Sequence, residues 1–239
     1  MKQQFEQYTA EDLAVWSALF ERQIENLEHK ASHDYLEALQ SMSPVLNPYQ
    51  LPHFEKINEW FSTRTGWEIA CVPGLIEVDE FFELLSEKKF PSSTWLRSKD
   101  KLDYLEEPDM FHDTFGHVPL LSNAAFCTFM SHLSTIALRF IDQEEALQRI
   151  SRLYWYTVEF GLIYEHNTLK IYGGGIISSS GESHYCLSNE VPKIDFDLER
   201  VLNTPYHIDR YQDHYFVIDS YEQLYQSISR MEDLLVAYS

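Results

Sequence analysis

Positive charge is scarce in this 239-residue chain. Against 38 Asp and Glu stand only 18 Lys and Arg, for a formal net charge of −20. A surface of that sign repels phosphate backbones and anionic lipid heads, and no run of Lys or Arg offsets it, which argues against nucleic acid and membrane as partners. Cysteine is scarce as well. Cys71, Cys127 and Cys186 are odd in number and widely spaced, so neither a disulfide framework nor a zinc ribbon is expected, and a reducing compartment is the simplest reading. No apolar run reaches the length of a membrane span. The polar opening MKQQFEQYTAED lacks the apolar stretch of a signal peptide, so a cytoplasmic location is expected.

What the chain does have is aromatic mass, 15% Phe, Trp and Tyr, within an ordinary globular balance of 44% hydrophobic and 23% charged residues. Such side chains bury large areas and suggest a rigid core or an aromatic-lined pocket. Thr9 and Asp12 form a capping-box pattern ahead of Leu13, Trp16, Leu19, Phe20, Ile24 and Leu27, which follow helical spacing. That helix, or a pair, runs on through Tyr35, Leu36 and Leu39 until Pro44 and Pro48. Further helices are expected over Phe54–Trp67, Val78–Phe90 (Phe81, Leu84 and Leu85 inward), Ala124–Phe140, Glu144–Tyr164 and Tyr221–Tyr238. Short strands are expected in GWEIACVPGL, at Ser93–Arg97, within Leu169–Leu187, and in YHIDRY and YFVIDS. The pattern predicts a mainly α, α+β fold: one domain over residues 1–239, with 1–8 peripheral, in which helices and a few short strands surround a metal pocket.

The segment EEPDMFHDTFGHVPLL, Glu106 to Leu121, carries His112 and His117. A zinc protease signature places its two His four apart on one helix face. Five residues apart on an ideal α-helix they diverge by about 140°, so they converge only if the helix ends or distorts between them. Gly116 and Pro119 suggest an end. Asp113 is also not the Glu such proteases use as base. A candidate third ligand lies in RLYWYTVEFGL: Glu159 stands among Trp155, Tyr156, Val158, Phe160 and Leu162, where an ionised carboxylate is costly unless metal-bound or paired, as with Arg152, the remaining alternative being that it faces out. Two His and one carboxylate suit non-haem Fe(II), and zinc accepts the same set. His29 and His33 are also four apart, but with Glu28, Lys30, Ser32 and Asp34 around them they read as a solvated helix face.

Together EEPDMFHDTFGHVPLL, RLYWYTVEFGL and IYGGGIISSSGESHYCLS closely resemble the pterin-dependent aromatic amino acid hydroxylases, above all their short bacterial members acting on phenylalanine. The likeness runs from about Tyr8 to the C-terminal helix. It implies Fe(2+) held by His112, His117 and Glu159. It implies a tetrahydropterin (tetrahydrobiopterin) against the backbone of Gly74 and Ile76, stacked on Phe81, with Tyr154 and Asp113 in the same pocket. It implies an amino acid whose carboxylate meets Arg97, with Ser178 in support and Gly173 to Gly175 letting the backbone come close to the ligand. The aromatic ring of that substrate would lie near Trp155, Pro108 and His112, and Tyr104, Leu105, Phe160 and Gly175 also belong to the implied substrate site. The family's phenylalanine enzymes carry Trp at the position of Trp155 and its tryptophan enzymes Phe, so the resemblance implies oxidation of L-phenylalanine to L-tyrosine by O2. Tryptophan 5-hydroxylation and meta-hydroxylation of phenylalanine are the alternatives, and a zinc hydrolase the distant one. The family's regulatory and tetramerisation segments find no counterpart here, so a monomer is expected.

Overall fold

The computed structural model describes residues 1–103 and 107–237. Helix α1 (Ala10–Leu27) opens on the expected capping box, the Thr9 side chain accepting from Asp12 N–H while the Asp12 carboxylate accepts from Thr9 N–H. Its buried face is Val15, Trp16, Leu19, Phe20, Gln23 and Leu27, whereas Leu13 and Ile24 are exposed. The stripe is thus turned slightly from the one read off the sequence. The periphery also differs. Gln3 donates to Pro52 O and accepts from Phe54 N–H, and Phe5 stacks on His53, so residues 3–8 are tied down against Pro52–Phe54.

Helices α2 (His33–Ser41) and α3 (Phe54–Ser62) follow, the first capped by Ser32. After Gly66, which takes a positive φ of 71°, strand β1 (Glu68–Cys71) leads through the Pro73–Gly74 turn to α4 (Val78–Ser86) and then β2 (Lys89–Ser92). Strands β1 and β2 pair in parallel, Glu68 opposite Lys89 and Cys71 opposite Ser92. The strand therefore lies before Ser93–Arg97, which is irregular. In α4 the core residues are Phe82 and Leu85, while Phe81 is half-buried. A helix one face wide must choose between adjacent aromatics, and packing against α5 (Ala124–Arg139) chose Phe82.

Helix α5 is the central support. Asn123 caps it, and Phe126, Phe129, Met130, Leu133, Ile136 and Ala137 are buried as it packs against α4 and the later α10. Each large buried side chain contributes about 1.5–3 kcal/mol of apolar burial.

The sequence suggested one helix from Glu144 to Tyr164. Instead α6 (Glu144–Tyr154) gives way to a π-helical turn at Trp155–Glu159 and then to strand β3 (Leu162–Glu165). A hairpin turn with His166 and Asn167 both at positive φ, the pattern that matches strand twist, returns the chain as β4 (Thr168–Ile171). Two short helices, α7 (Gly174–Ile177) and α8 (Ser180–Tyr185), replace the expected Gly/Ser turns. Then come β5 (Lys193–Asp195), α9 (Leu198–Asn203), β6 (Tyr215–Ile218) and α10 (Tyr221–Ala237). The expected strand in YHIDRY is absent: residues 204–214 have no regular structure. The second sheet runs β4-β3-β6-β5, antiparallel only at β3/β4. One hydrophobic cluster extends from Val15 to Leu235, as a single helical domain with minor sheets requires. No helix among the described residues is long and apolar enough to cross a membrane.

Candidate metal centre and substrate cleft

His112 to His117 form a π-helical turn. The helix does not break at Gly116; it widens. In a π-turn hydrogen bonds run between residues five apart, so His112 and His117 come round to the same side. Their Nε2 atoms lie 3.2 Å apart. The second π-turn, where Phe160 N–H donates to Trp155 O at 2.9 Å, presents Glu159 to the same point. Its carboxylate oxygens are 3.2 Å from His117 Nε2 and 3.7 Å from His112 Nε2. The ligand atoms of the three residues lie within 4.8 Å of one another, the one such cluster among the described residues. His33 instead sits in solvent near Glu37.

Both wide turns have local and distant supports. Thr114 Oγ1 donates to Met110 O at 2.6 Å and Thr157 Oγ1 to Leu153 O at 2.5 Å, back-bonds that bend helices. Tyr35, from α2, donates its hydroxyl to Phe115 O inside the first turn. Gly116 serves close approach rather than termination: a Cβ on it would come within 2.7 Å of Gly174 O. A Cβ on Gly174 would lie 2.4 Å from the His117 ring, and one on Gly173 2.4 Å from Glu159 O. The glycine run expected to approach a ligand therefore approaches the two ligand-bearing turns. Phe90 stacks on the other face of His117 with centroids 5.0 Å apart.

The electrostatics suit a cation. Burial pulls the His112 pKa down to about 4, against the opposing charge of Glu159, so that imidazole is neutral and free to coordinate. Its Nδ1 is 2.9 Å from Ser178 Oγ, which leaves Nε2 aimed at the other two ligands. Burial also opposes charge on His117 and Glu159, but their mutual attraction prevails, holding the histidine above and the carboxylate below its ordinary range.

The three ligands open into a cleft of about 720 Å³. Gly74, Ile76, Phe81, Tyr154 and Asp113 line it, as do Arg97, Pro108, Ser178, Gly175, Trp155 and Phe160; Gly173 and Gly174 do not. Tyr104 and Leu105 lie outside the described residues. Phe81, part of the cleft lining, meets Tyr154 with centroids 5.1 Å apart and planes near perpendicular. Asp113 is buried, accepts from Ser93 N–H at 2.8 Å, and is pushed by burial to a pKa of about 7. The hydroxyls of Tyr154 and Ser93 are buried here without a well-formed hydrogen bond, the first beside Glu159 and the second beside Asp113. A flat ring with polar edges fits between Phe81 and these unfilled polar positions.

Arg97 is 7% exposed and does not stand alone. Its Nε donates to Asp109 Oδ2 and its Nη2 to Asp109 Oδ1, both at 2.8 Å, and its Nη1 to Leu102 O at 3.3 Å. A guanidinium has five N–H donors. That leaves one N–H on each terminal nitrogen free to meet an anion in the cleft. Asp109 was missed by sequence reasoning. Its signal was an Asp three residues before His112, and it accepts from His112 N–H at 3.0 Å as an N-cap would. The same Asp therefore fixes both Arg97 and the entry to the first ligand turn. Also missed was the cleft wall formed by Ile208 to Gln212 with Glu182, a stretch whose sequence suggested a strand.

The profile of the biopterin-dependent aromatic amino acid hydroxylases matches residues 4–235. The chain belongs to this family of enzymes. It is 44% identical over 228 residues to the phenylalanine-4-hydroxylase of Chromobacterium violaceum, covering 95% of this chain and 76% of that one. It is 45% identical to the enzyme of the same name from Ralstonia nicotianae, covering 95% and 72%. Human tyrosine 3-monooxygenase is more distant, 32% identical over 90% of this chain and 41% of its own. The crystal structure of the C. violaceum enzyme with bound iron(III) and the oxidised cofactor 7,8-dihydrobiopterin superposes with a TM-score of 0.92, at 44% identity, over 99% of this chain and 86% of that one.

Proposed function

We propose that this protein converts L-phenylalanine to L-tyrosine with O2, using ferrous iron and tetrahydrobiopterin. The observation that carries the reading is the convergence of His112, His117 and Glu159 at the floor of a cleft that also holds the free end of Arg97. Relatives sharing over two-fifths of the sequence bear that activity in their names.

His112, His117 and Glu159 would hold the ion on one side, leaving its other positions toward the cleft. Iron and reduced pterin, when bound, supply the activation of O2 that hydroxylates an aromatic ring. The protein's own work is placement. Phe81 offers its ring face to the pterin, Gly74 and Ile76 offer backbone, and Asp113 and Tyr154 polar edges. Arg97, held by Asp109, receives the substrate carboxylate with Ser178 beside it. Trp155, Phe160 and Pro108 enclose the substrate ring, while Gly175 leaves room. Trp155 sits where an indole rather than a smaller phenyl limits the pocket, which favours phenylalanine over tryptophan.

The test is a single turnover. Protein loaded anaerobically with Fe(II), L-phenylalanine and tetrahydrobiopterin yields tyrosine, para-hydroxylated only, when O2 is admitted. Meta-tyrosine as product, or faster turnover of tryptophan, would overturn the substrate assignment; activity with zinc and no pterin would overturn the class. Arg97→Lys, which keeps the charge but loses the fork, raises the KM for phenylalanine by about tenfold or more with little change in that for pterin.

A further inference from the structure

Trp155 forms part of the cleft wall and is half-buried. Its indole stacks on Tyr206, centroids 4.4 Å apart and planes 16° from parallel, and is tilted against Phe160 at 4.7 Å. Stacking fixes a plane but tolerates sliding within it, because dispersion is non-directional. What selects one position is the edge: Trp155 Nε1 donates to Gln212 Oε1 at 2.9 Å.

Gln212 is 3% exposed in a stretch without regular structure. Its side-chain amide nitrogen donates to His207 O at 3.0 Å and to Arg210 O at 3.4 Å. Its backbone N–H donates to Glu182 Oε1 at 3.3 Å, and that oxygen also accepts from the Tyr215 hydroxyl at 2.6 Å. One side chain thus joins the indole, the loop carbonyls and, through its backbone, a buried carboxylate anchored on β6. Around it the loop is loosely held, with Ile208 78% and Tyr211 48% exposed. Glutamine suits this post because one end accepts and the other donates twice.

We infer that Gln212 is a positioning residue that sets amino acid selectivity by fixing the Trp155 indole and the 207–210 loop as one wall of the substrate pocket. The inference rests on the proposed hydroxylation of phenylalanine, since it names what limits the size of that substrate. Without the bond the indole slides along Tyr206, the pocket widens, and a bicyclic amino acid is less strongly excluded.

The test is a double-mutant cycle on the full-length, iron-loaded protein. Gln212→Leu keeps the volume and removes the acceptor. The loss of one hydrogen bond of about 1–1.5 kcal/mol lowers the phenylalanine-to-tryptophan ratio of kcat/KM about five- to tenfold. The KM for pterin is unchanged. In a Trp155→Phe background, where there is no indole N–H to hold, the same substitution changes the ratio less than about twofold. If Gln212→Leu does not fold, Gln212→Met, flexible and of similar volume, takes its place. An equal loss in both backgrounds marks a merely structural role and overturns the inference. A second readout needs no turnover. In a proton–nitrogen spectrum of the protein the Trp155 indole N–H, identified by its disappearance in Trp155→Phe, shifts and exchanges faster in Gln212→Leu. The other four indoles of the chain's five stay put. An unmoved Trp155 peak also overturns the inference. Failure to hydroxylate phenylalanine at all would sink the proposed function while the spectra still report on the bond.

Discussion

On one wall of the cleft His112, His117 and Glu159 ride on two widened helical turns, with glycine backbone pressed against them and a tyrosine from another helix bonded to one carbonyl. On another, residues 204–214 run without regular structure and are joined to the site by the side chain of Gln212, by Tyr206 stacked on Trp155 and by Pro205 O, which accepts from the Tyr156 hydroxyl. The first wall is redundant: each of its three candidate ligands has several supports, and Gly174 packs close against the His117 ring. The second hangs on few bonds. The contrast fits the two tasks proposed for these walls. Metal ligands must hold distances to tenths of an ångström, whereas a wall that admits and releases a substrate needs fewer constraints.

The sharpest way to break the comparison is to remove a ligand. Glu159→Ala lowers turnover at least about a hundredfold, more than the loss typical of a ligand's supporting partner, and iron content measured after desalting falls with it. Retained iron and activity would show that the first wall does not owe its order to the metal site. Next comes the pedestal. Asp109→Ala strands the buried Arg97 charge and frees the entry to the first turn, lowering stability by about 3–5 kcal/mol in denaturant titration.

Gly174→Ala is smaller and more telling. Its methyl group would lie within 2.4 Å of the His117 ring, so it lowers stability by about 1–3 kcal/mol and weakens iron binding, whereas Gly181→Ala meets only the Tyr211 hydroxyl, which can swing aside, and leaves iron binding unchanged. Equal effects on iron at the two glycines would erase the distinction between the walls.

The smallest effect concerns Glu182 beneath the loop. Burial raises its pKa despite hydrogen bonds from Tyr215 and the Gln212 backbone. A carboxyl whose pKa rises on folding binds its proton more tightly in the folded state. The stability it contributes is full below the unfolded pKa and is lost as pH rises through the folded one. Glu182→Gln removes that titration. Melting temperatures of the two proteins therefore diverge in the variant's favour as pH rises through and above the ordinary glutamate range. A constant difference across that range would show that Glu182 does not titrate there.

Several parts of this molecule were legible from local pattern. The Thr9–Asp12 capping box, the apolar runs of α5, β6 and α10, and the turn at Pro73–Gly74 all form where residue spacing placed them. The misreadings share a cause. Phe81 and Phe82 differ by one position, and only the presence of α5 decided which was core. Residues 155–164 look helical throughout, but pairing with β4 and β6 captured Leu162–Glu165 as strand. YHIDRY has strand composition, but Gln212 bonds its backbone carbonyls to itself rather than to a neighbouring strand.

By itself the sequence supplied two imidazoles and a carboxylate in apolar surroundings, a set able to hold a metal ion; the parts given to Arg97 and Phe81 came only from the family resemblance. It left open how histidines five residues apart could share an ion. A break at Gly116 satisfied the local rules, because an α-helix spreads such residues by about 140°. The tertiary structure decided on a wider turn instead. A π-turn is poorly favoured on its own, and what holds this one lies far along the chain: the Tyr35 hydroxyl on Phe115 O, and the Gly174 backbone close beneath Gly116 and His117.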